Sequence, residues 1–106
     1  MVSISTNYKL IITDRAQKDI EQYIDTIMYT YDAPMTAKKH YDDLYDVFRK
    51  IEQYPMISPI RYNLSLLQYG YNVRRVNYKK MAIFYTVNGY NVYVHRVIAG
   101  SLITEL

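Results

Sequence analysis

Cysteine and tryptophan are absent from this chain of 106 residues, and glycine and proline occur only three times each. Without cysteine there are no disulfide bonds or thiolate metal sites, which is typical of the reducing cytoplasm. Three glycines are too few for a glycine-rich phosphate loop. No apolar run approaches the roughly 20 residues of a membrane span, and the start MVSISTNYKL lacks the pattern of a signal peptide. We therefore expect a cytoplasmic protein with no membrane span.

Acidic residues are scarce in the second part of the chain. Residues 61–106 contain six lysines and arginines but only Glu105 as an acid, which gives a net charge of +5. Residues 1–60 contain seven basic and nine acidic residues, which gives −2. A basic half indicates an acidic partner, either nucleic acid or an acidic protein. The alternative is that these charges only keep a small sheet soluble.

Two amphipathic helices are predicted in the first half of the chain. After Thr13, a good capping residue, apolar residues recur at steps of three and four and predict a helix over 14–31. Pro34 fits the first turn of a second helix, over 34–54. Because the connection is short, the two helices are expected to form an antiparallel hairpin.

Alternating apolar residues predict strands on both sides of the helices. One short strand, 8–12, precedes them, and three strands follow at 71–77, 80–87 and 90–98. Residues 55–70 have no clean period and are interpreted as a loop. The order β-α-α-β-β-β predicts an α+β fold, with an antiparallel sheet and the helical hairpin on one face. One domain, spanning residues 1–106, is expected from the length.

Asn88-Gly89 lies between the last two strands and is a strong signal for a two-residue β-turn. Such a turn fixes which side chains share a face of the sheet. The face under the helices is predicted to pair Val87 with Tyr90, Tyr85 with Val92, Ile83 with Val94 and Met81 with Arg96. The other face is predicted to be open, and pairs Thr86 with Asn91, Phe84 with Tyr93, Ala82 with His95 and Lys80 with Val97.

The basic strand before this hairpin adds arginines to both faces. A tight turn at Tyr78-Lys79 would place Arg75 on the open face, opposite Ala82, and Val73 opposite Phe84. Arg74 and Arg96 would then point to the helices, where each is expected to form a salt bridge with a helical carboxylate.

The predicted open face contains a candidate site, formed by Arg75 and His95 in one row and by Phe84 and Tyr93 in the next. A guanidinium, an imidazole and two aromatic rings can bind phosphates and stacked bases. The same groups can cleave RNA, with His95 moving protons and Arg75 stabilising a charged phosphorane. Alternatively, His95 is a packed strand residue and the two rings only stabilise the hairpin. The sequence suggests no metal site and no cofactor.

The chain resembles the RelE/ParE family of bacterial toxins along nearly its whole length. The segment 13–20 is similar to the family's "A…D(I/L)" opening, the segments 73–76 and 82–87 are similar to its middle strands, and 92–100 resembles its closing "(V/I)…RV(I/L)(H)G" strand. The resemblance implies the fold derived above. It also implies a growth-inhibiting toxin of a type II toxin–antitoxin pair, as in plasmid stabilisation, bound by a cognate antitoxin in a hetero-oligomer.

The branches of this family differ in their target. The mRNA-cleaving members act on ribosomes and carry basic residues on the open face and just beyond the last strand. Carried over by position, these fall on Arg75, which is kept, on Ala82, and on Ser101 or Leu102, where the charge is lost. The losses favour the ParE branch, which poisons DNA gyrase. The target-binding residues would then be Arg75, Lys79, Lys80, Phe84 and Tyr93.

Two alternatives to a gyrase poison stay open at this point. The first is a ribosome-dependent mRNA interferase, with Arg75 and His95 as its catalytic residues. The second is a non-toxic relative that only binds its antitoxin.

Overall fold

A four-stranded sheet forms the centre of the fold. The computed structural model describes residues 7–99. Its strands are β1 (Lys9–Ile12), β2 (Arg74–Tyr78), β3 (Met81–Asn88) and β4 (Asn91–Ala99), in the order β1-β4-β3-β2 across the sheet. The α+β class and the order of elements are confirmed. Because β1 runs parallel to β4 while the other pairs are antiparallel, the sheet is mixed and not wholly antiparallel.

Two helices cover one face of the sheet. Helix α1 (Asp14–Asp25) begins after Thr13, whose Oγ1 accepts a hydrogen bond from the Ala16 N–H at 3.2 Å, as an N-cap does. A π-helical turn (Thr26–Thr30) extends α1, and α2 (Pro34–Gln53) follows. The predicted helices are thus correct to within one residue at their ends. Neither helix of residues 7–99 has the length and apolar character needed to cross a membrane.

The β3–β4 turn differs from its prediction by one position. Gly89, with φ +62°, and Tyr90 are its central residues, so Asn88 pairs with Asn91 and Tyr85 with Val94. Glycine at the first central position is typical of a type II′ turn. The pairs are shifted by two residues from those predicted, and a shift of two leaves each side chain on its predicted face.

A β-bulge in β4 overturns the predicted faces farther along the hairpin. His95 is the extra residue of the bulge, and beyond it Phe84 pairs with Arg96 and Ile83 with Val97. The bulge allows Val94 and Val97, three positions apart, to join the same core under the helices. The predicted pairs of Met81 with Arg96 and of Lys80 with Val97 are therefore wrong. Met81 pairs with Ala99, and Lys80 lies in the β2–β3 turn.

The face opposite the helices is also covered, and its predicted openness is wrong. The connection between α2 and β2 contains a 3₁₀ helix (Leu64–Tyr69). Its Leu66 packs in a second core with Val73, Ala82, Phe84 and Ile98. Every residue of β3 from Met81 to Thr86 is buried, and a strand that is apolar on both faces must be covered on both faces.

The two arginines expected to reach helical carboxylates have different partners. Arg96 Nε and Nη2 donate to the two carboxylate oxygens of Asp19 on α1, at 2.7 and 3.2 Å, so this prediction is confirmed. Arg74 instead donates to the backbone carbonyls of Met56, at 3.0 Å, and Ser58. The predicted salt bridge of Arg74 is thus wrong, because the backbone carbonyls of the residues that follow α2 are the acceptors next to its guanidinium.

The outer edges of the sheet are partly occupied. At the β1 edge, the carboxylate of Glu52 on α2 accepts a hydrogen bond from the Leu10 N–H at 2.7 Å. At the β2 edge, Ile60 forms an isolated antiparallel bridge with Arg74. Both contacts satisfy backbone groups that an edge strand otherwise leaves to solvent.

Candidate functional site

His95 lies at the bulge of β4, between two tyrosine rings. Its Nε2 is 2.8 Å from the Thr86 Oγ1, and its ring centroid is 5.5 Å from that of Tyr69 and 6.4 Å from that of Tyr93. These groups line a shallow, open depression of about 530 Å³, together with residues 70–72. Tyr69 and Thr86 are contacts that the sequence did not predict. The segment containing Tyr69 has no period, so no local signal places it on the sheet.

Partial burial lowers the pKa of His95 below its ordinary value of 6.5, because desolvation disfavours the imidazolium. The side chain is therefore neutral at pH 7. It does not supply a positive charge for a phosphate group.

Acidification is expected to destabilise the protein through His95. Since its pKa is lower in the folded than in the unfolded state, unfolding takes up a proton between these two values. The stability is then complete above the unfolded pKa and decreases as the pH falls below it. We expect the urea concentration at the unfolding midpoint to decrease as the pH is lowered from about 7, where the histidine of the unfolded chain begins to take up its proton. His95→Gln, which keeps a hydrogen-bonding group for Thr86, should show a smaller fall.

The matched variant for this measurement is His40→Gln. Burial is also the main cause that lowers the pKa of His40, so the two histidines should each account for part of the pH dependence. If His95→Gln loses stability with acid as steeply as the wild type does, the lowered pKa of His95 is disproved.

Arg75 is on β2, two strands away from His95. Its Nε donates to Asn77 Oδ1 at 2.8 Å, and its guanidinium carbon lies 5.7 Å from the centroid of the Phe84 ring. Arg75 pairs with Phe84 and not with Ala82. The predicted row of Arg75, Ala82 and His95 is therefore wrong. The residue pairs on both sides of β3 are shifted by two from those predicted, and the bulge at His95 changes the pairing of β3 with β4 once more.

The two aromatic residues of the predicted site differ in accessibility. Phe84 is fully buried beneath Leu66, so the prediction that it is open to a target is wrong. Tyr93 is half-buried and lines the depression beside His95. Only Tyr93 of this pair can contact a partner on the surface described.

The β2–β3 turn carries two exposed lysines, Lys79 and Lys80, next to the strand of Arg75. Lys79 has φ +52°, and its Nζ lies 5.9 Å from the centroid of the Tyr78 ring. Within residues 7–99, none of these three cations is within ion-pair distance of a carboxylate. We call Arg75, Lys79 and Lys80 the basic edge. It can interact with acidic groups of a partner.

The arrangement is better suited to binding than to acid–base chemistry. RNA cleavage needs a proton-transfer group next to a cation that stabilises the developing charge. His95 contacts a hydroxyl and two phenol rings, and the residue at the position of the lost arginine, Ala82, is fully buried. Ser101 and Leu102 lie outside the described residues. Within residues 7–99, no group of three histidine, aspartate or glutamate side chains can hold a metal ion.

The residues that carry the family resemblance have structural contacts. In the opening motif, Ala16 and Ile20 are buried in the core, and the side chain of Asp19 is largely buried as well. The Asp19 Oδ2 accepts hydrogen bonds from Arg96 Nε and, at 3.0 Å, from the Val97 N–H. β1 is too short to pair with this part of β4. Asp19 therefore takes the place of a neighbouring strand, and joins the opening motif to the closing one.

Comparisons with known proteins agree with this fold. The sequence profile described as "ParE toxin of type II toxin-antitoxin system, parDE" matches residues 10–101. A solved structure from the chromosomal ParDE toxin–antitoxin system of P. aeruginosa is similar, with a TM-score of 0.71 and 18% sequence identity, over 90% of this chain and 98% of that chain. No curated protein matches the sequence. The chain belongs to the ParE toxin family of type II toxin–antitoxin systems.

Proposed function

We propose that this chain is a cytoplasmic toxin which, when free of its antitoxin, inhibits growth by poisoning DNA gyrase. The observation that carries the proposal is the separation of Arg75 from His95, with the buried Phe84 between their strands. An RNA-cleaving site would require these two groups to act on one phosphate. A poison that acts by binding a protein does not require it.

The basic edge is the surface that we assign to the target. Arg75, Lys79 and Lys80 lie on the edge strand and its turn without ion-pair partners among the described residues. Such cations accelerate association with an acidic protein surface and help to set its orientation. Tyr93 is the aromatic residue of the predicted set that stays accessible.

Charge reversal at the basic edge should weaken gyrase poisoning, and removal of the imidazole should not. With purified gyrase, ATP and supercoiled plasmid, we expect the toxin to accumulate linear DNA. Lys80→Glu should raise the toxin concentration required by about tenfold, since one lost charge contact of about 1.4 kcal/mol has that effect. His95→Ala should leave the required concentration unchanged. Lys18→Glu, an exposed charge reversal on α1, is the matched control.

Two results would contradict the proposal. Cleavage of mRNA in a ribosome-programmed extract, abolished by His95→Ala, would identify an mRNA interferase. Normal growth and normal DNA replication after expression without the antitoxin would identify a non-toxic, antitoxin-binding relative.

A further inference from the structure

The segment that covers the second face of the sheet is apolar on its outer side as well. Tyr62, Leu64, Leu67 and Tyr71 are 85, 82, 52 and 83% exposed, respectively. We call these four residues the apolar ridge. Single exposed apolar residues are ordinary in proteins, but four large ones within residues 62–71 favour a surface that contacts another molecule.

The 3₁₀ geometry explains why the segment has two apolar sides. In a 3₁₀ helix, residues three apart are eclipsed. Leu66 and Tyr69 are related in this way, and both pack against the sheet. Leu64 and Leu67 are related in the same way and form a second row, which is exposed. Among residues 7–99, the second core therefore uses one row, and the other row stays exposed.

The charged residues in the stretch of chain that carries the apolar ridge are all basic. No aspartate or glutamate occurs between residues 53 and 104. Arg61 is exposed beside Tyr62, and its backbone N–H donates to the Val73 carbonyl at 2.7 Å, which holds it at the edge of β2. Within residues 7–99, Arg61 forms no ion pair with a carboxylate. The complementary surface is therefore apolar with carboxylates next to it.

We propose that the apolar ridge is the docking surface for the antitoxin, through a segment that presents apolar side chains flanked by carboxylates. An exposed apolar surface promotes association of the free protein, so it is best covered by a partner that stays bound while the toxin is stored. A target reached only after release of the antitoxin does not provide that cover. The inference rests on the antitoxin part of the proposed function and is independent of gyrase.

The test compares two double variants of the full chain, each measured with the antitoxin encoded beside it. Leu64→Ser/Leu67→Ser removes the exposed row, and Tyr29→Ser/Met35→Ser removes apolar residues of similar exposure, 73 and 80%, near the tip of the helical hairpin. We expect the first variant to lose about a hundredfold in antitoxin affinity by calorimetry, and the second to lose less than about threefold. In cells, the first variant should still inhibit growth, but co-expressed antitoxin should no longer restore it.

A second variant makes the result independent of folding. Arg61→Glu leaves the 3₁₀ helix intact and should weaken antitoxin binding most at low salt, because exposed charges are screened as the salt concentration rises. If the leucine variant has lost its far-ultraviolet circular dichroism signal, the Arg61→Glu result decides.

Three outcomes would overturn the inference. The first is unchanged antitoxin affinity in both the leucine and the Arg61 variants. The second is a leucine variant that no longer inhibits growth but keeps its antitoxin affinity, which would assign the apolar ridge to the target. The third is the absence of antitoxin binding by the wild type. If the wild type binds antitoxin but produces no linear DNA with gyrase, only the gyrase proposal fails.

Discussion

Asp19→Ala is expected to destabilise the protein by about 3 kcal/mol, because removing one partner of a largely buried ion pair leaves the other charge without compensation. Asp19 and Arg96 side chains are only 12 and 19% exposed. The substitution leaves the Arg96 guanidinium unpaired and removes the acceptor of the Val97 N–H. The hydrogen bond to Asp19 also raises the pKa of Arg96, so the arginine stays charged. Urea unfolding monitored by circular dichroism measures the loss.

The matched control for Asp19 is Asp42, which pairs with Lys38 one turn away on α2. Their side chains are 54 and 72% exposed, so Asp42→Ala should cost less than about 0.5 kcal/mol. In Asp19→Leu/Arg96→Met both charges are removed, and part of the lost stability should return. Equal, small losses for Asp19→Ala and Asp42→Ala would show that the pair does not hold α1 to β4.

Phe84→Ala is expected to destabilise the protein by about 3–5 kcal/mol, the usual cost of removing a buried aromatic side chain. Phe84 is fully buried between the sheet and Leu66, and its ring also faces the Arg75 guanidinium. Tyr29→Ala, at a position that is 73% exposed, should change the unfolding free energy by less than about 0.5 kcal/mol. Both values come from the same urea titrations.

The alternative role of Phe84, as a ring that stacks on a target, gives the opposite result. A Phe84→Ala protein with wild-type stability and weakened gyrase poisoning would place the ring on an open surface. That outcome would also require Leu66 to be displaced from the sheet. Leu66→Ala would then have no effect on stability, whereas replacing a buried leucine by alanine typically lowers the free energy of unfolding by about 2–5 kcal/mol.

The helices were predictable because their signals are local and repeated. Apolar residues from Ala16 to Ile27 follow a period of 3.6, and Pro34 marks the start of the second helix. Of the signals for the sheet, the hairpin turn gave the faces of the adjoining residues correctly even though the pairs are shifted by two. Since strand side chains have a period of two, an error of two residues does not change the face.

The bulge and the covering segment were not predictable by the same means. A bulge has no turn residue to mark it, and its only trace is the spacing of Val94 and Val97, which breaks the alternation of β4. The covering 3₁₀ helix has no amphipathic period longer than two turns. A usable signal was present in β3, where a continuous apolar run, 81–85, is typical of a strand buried on both faces.

The candidate site depended on these long-range features and was therefore only partly predictable. Placing Arg75 next to His95 required the pairs on both sides of β3 and the absence of a bulge, and each of these assumptions failed. Predictions that depended on composition alone were less sensitive to register. The predicted basic surface in the second part of the chain is an example, since Lys79 and Lys80 are exposed whatever the pairing of the strands.

The hydrogen bond from the Leu10 N–H to the Glu52 carboxylate affects how a second polypeptide can approach the sheet. A strand that extends the sheet at β1 must displace this carboxylate, and at β2 it must displace the Ile60 bridge. Edge strands that are occupied in this way resist edge-to-edge aggregation. Within residues 7–99, neither edge is therefore a ready template for β-augmentation, and a partner that binds through side chains leaves both contacts in place.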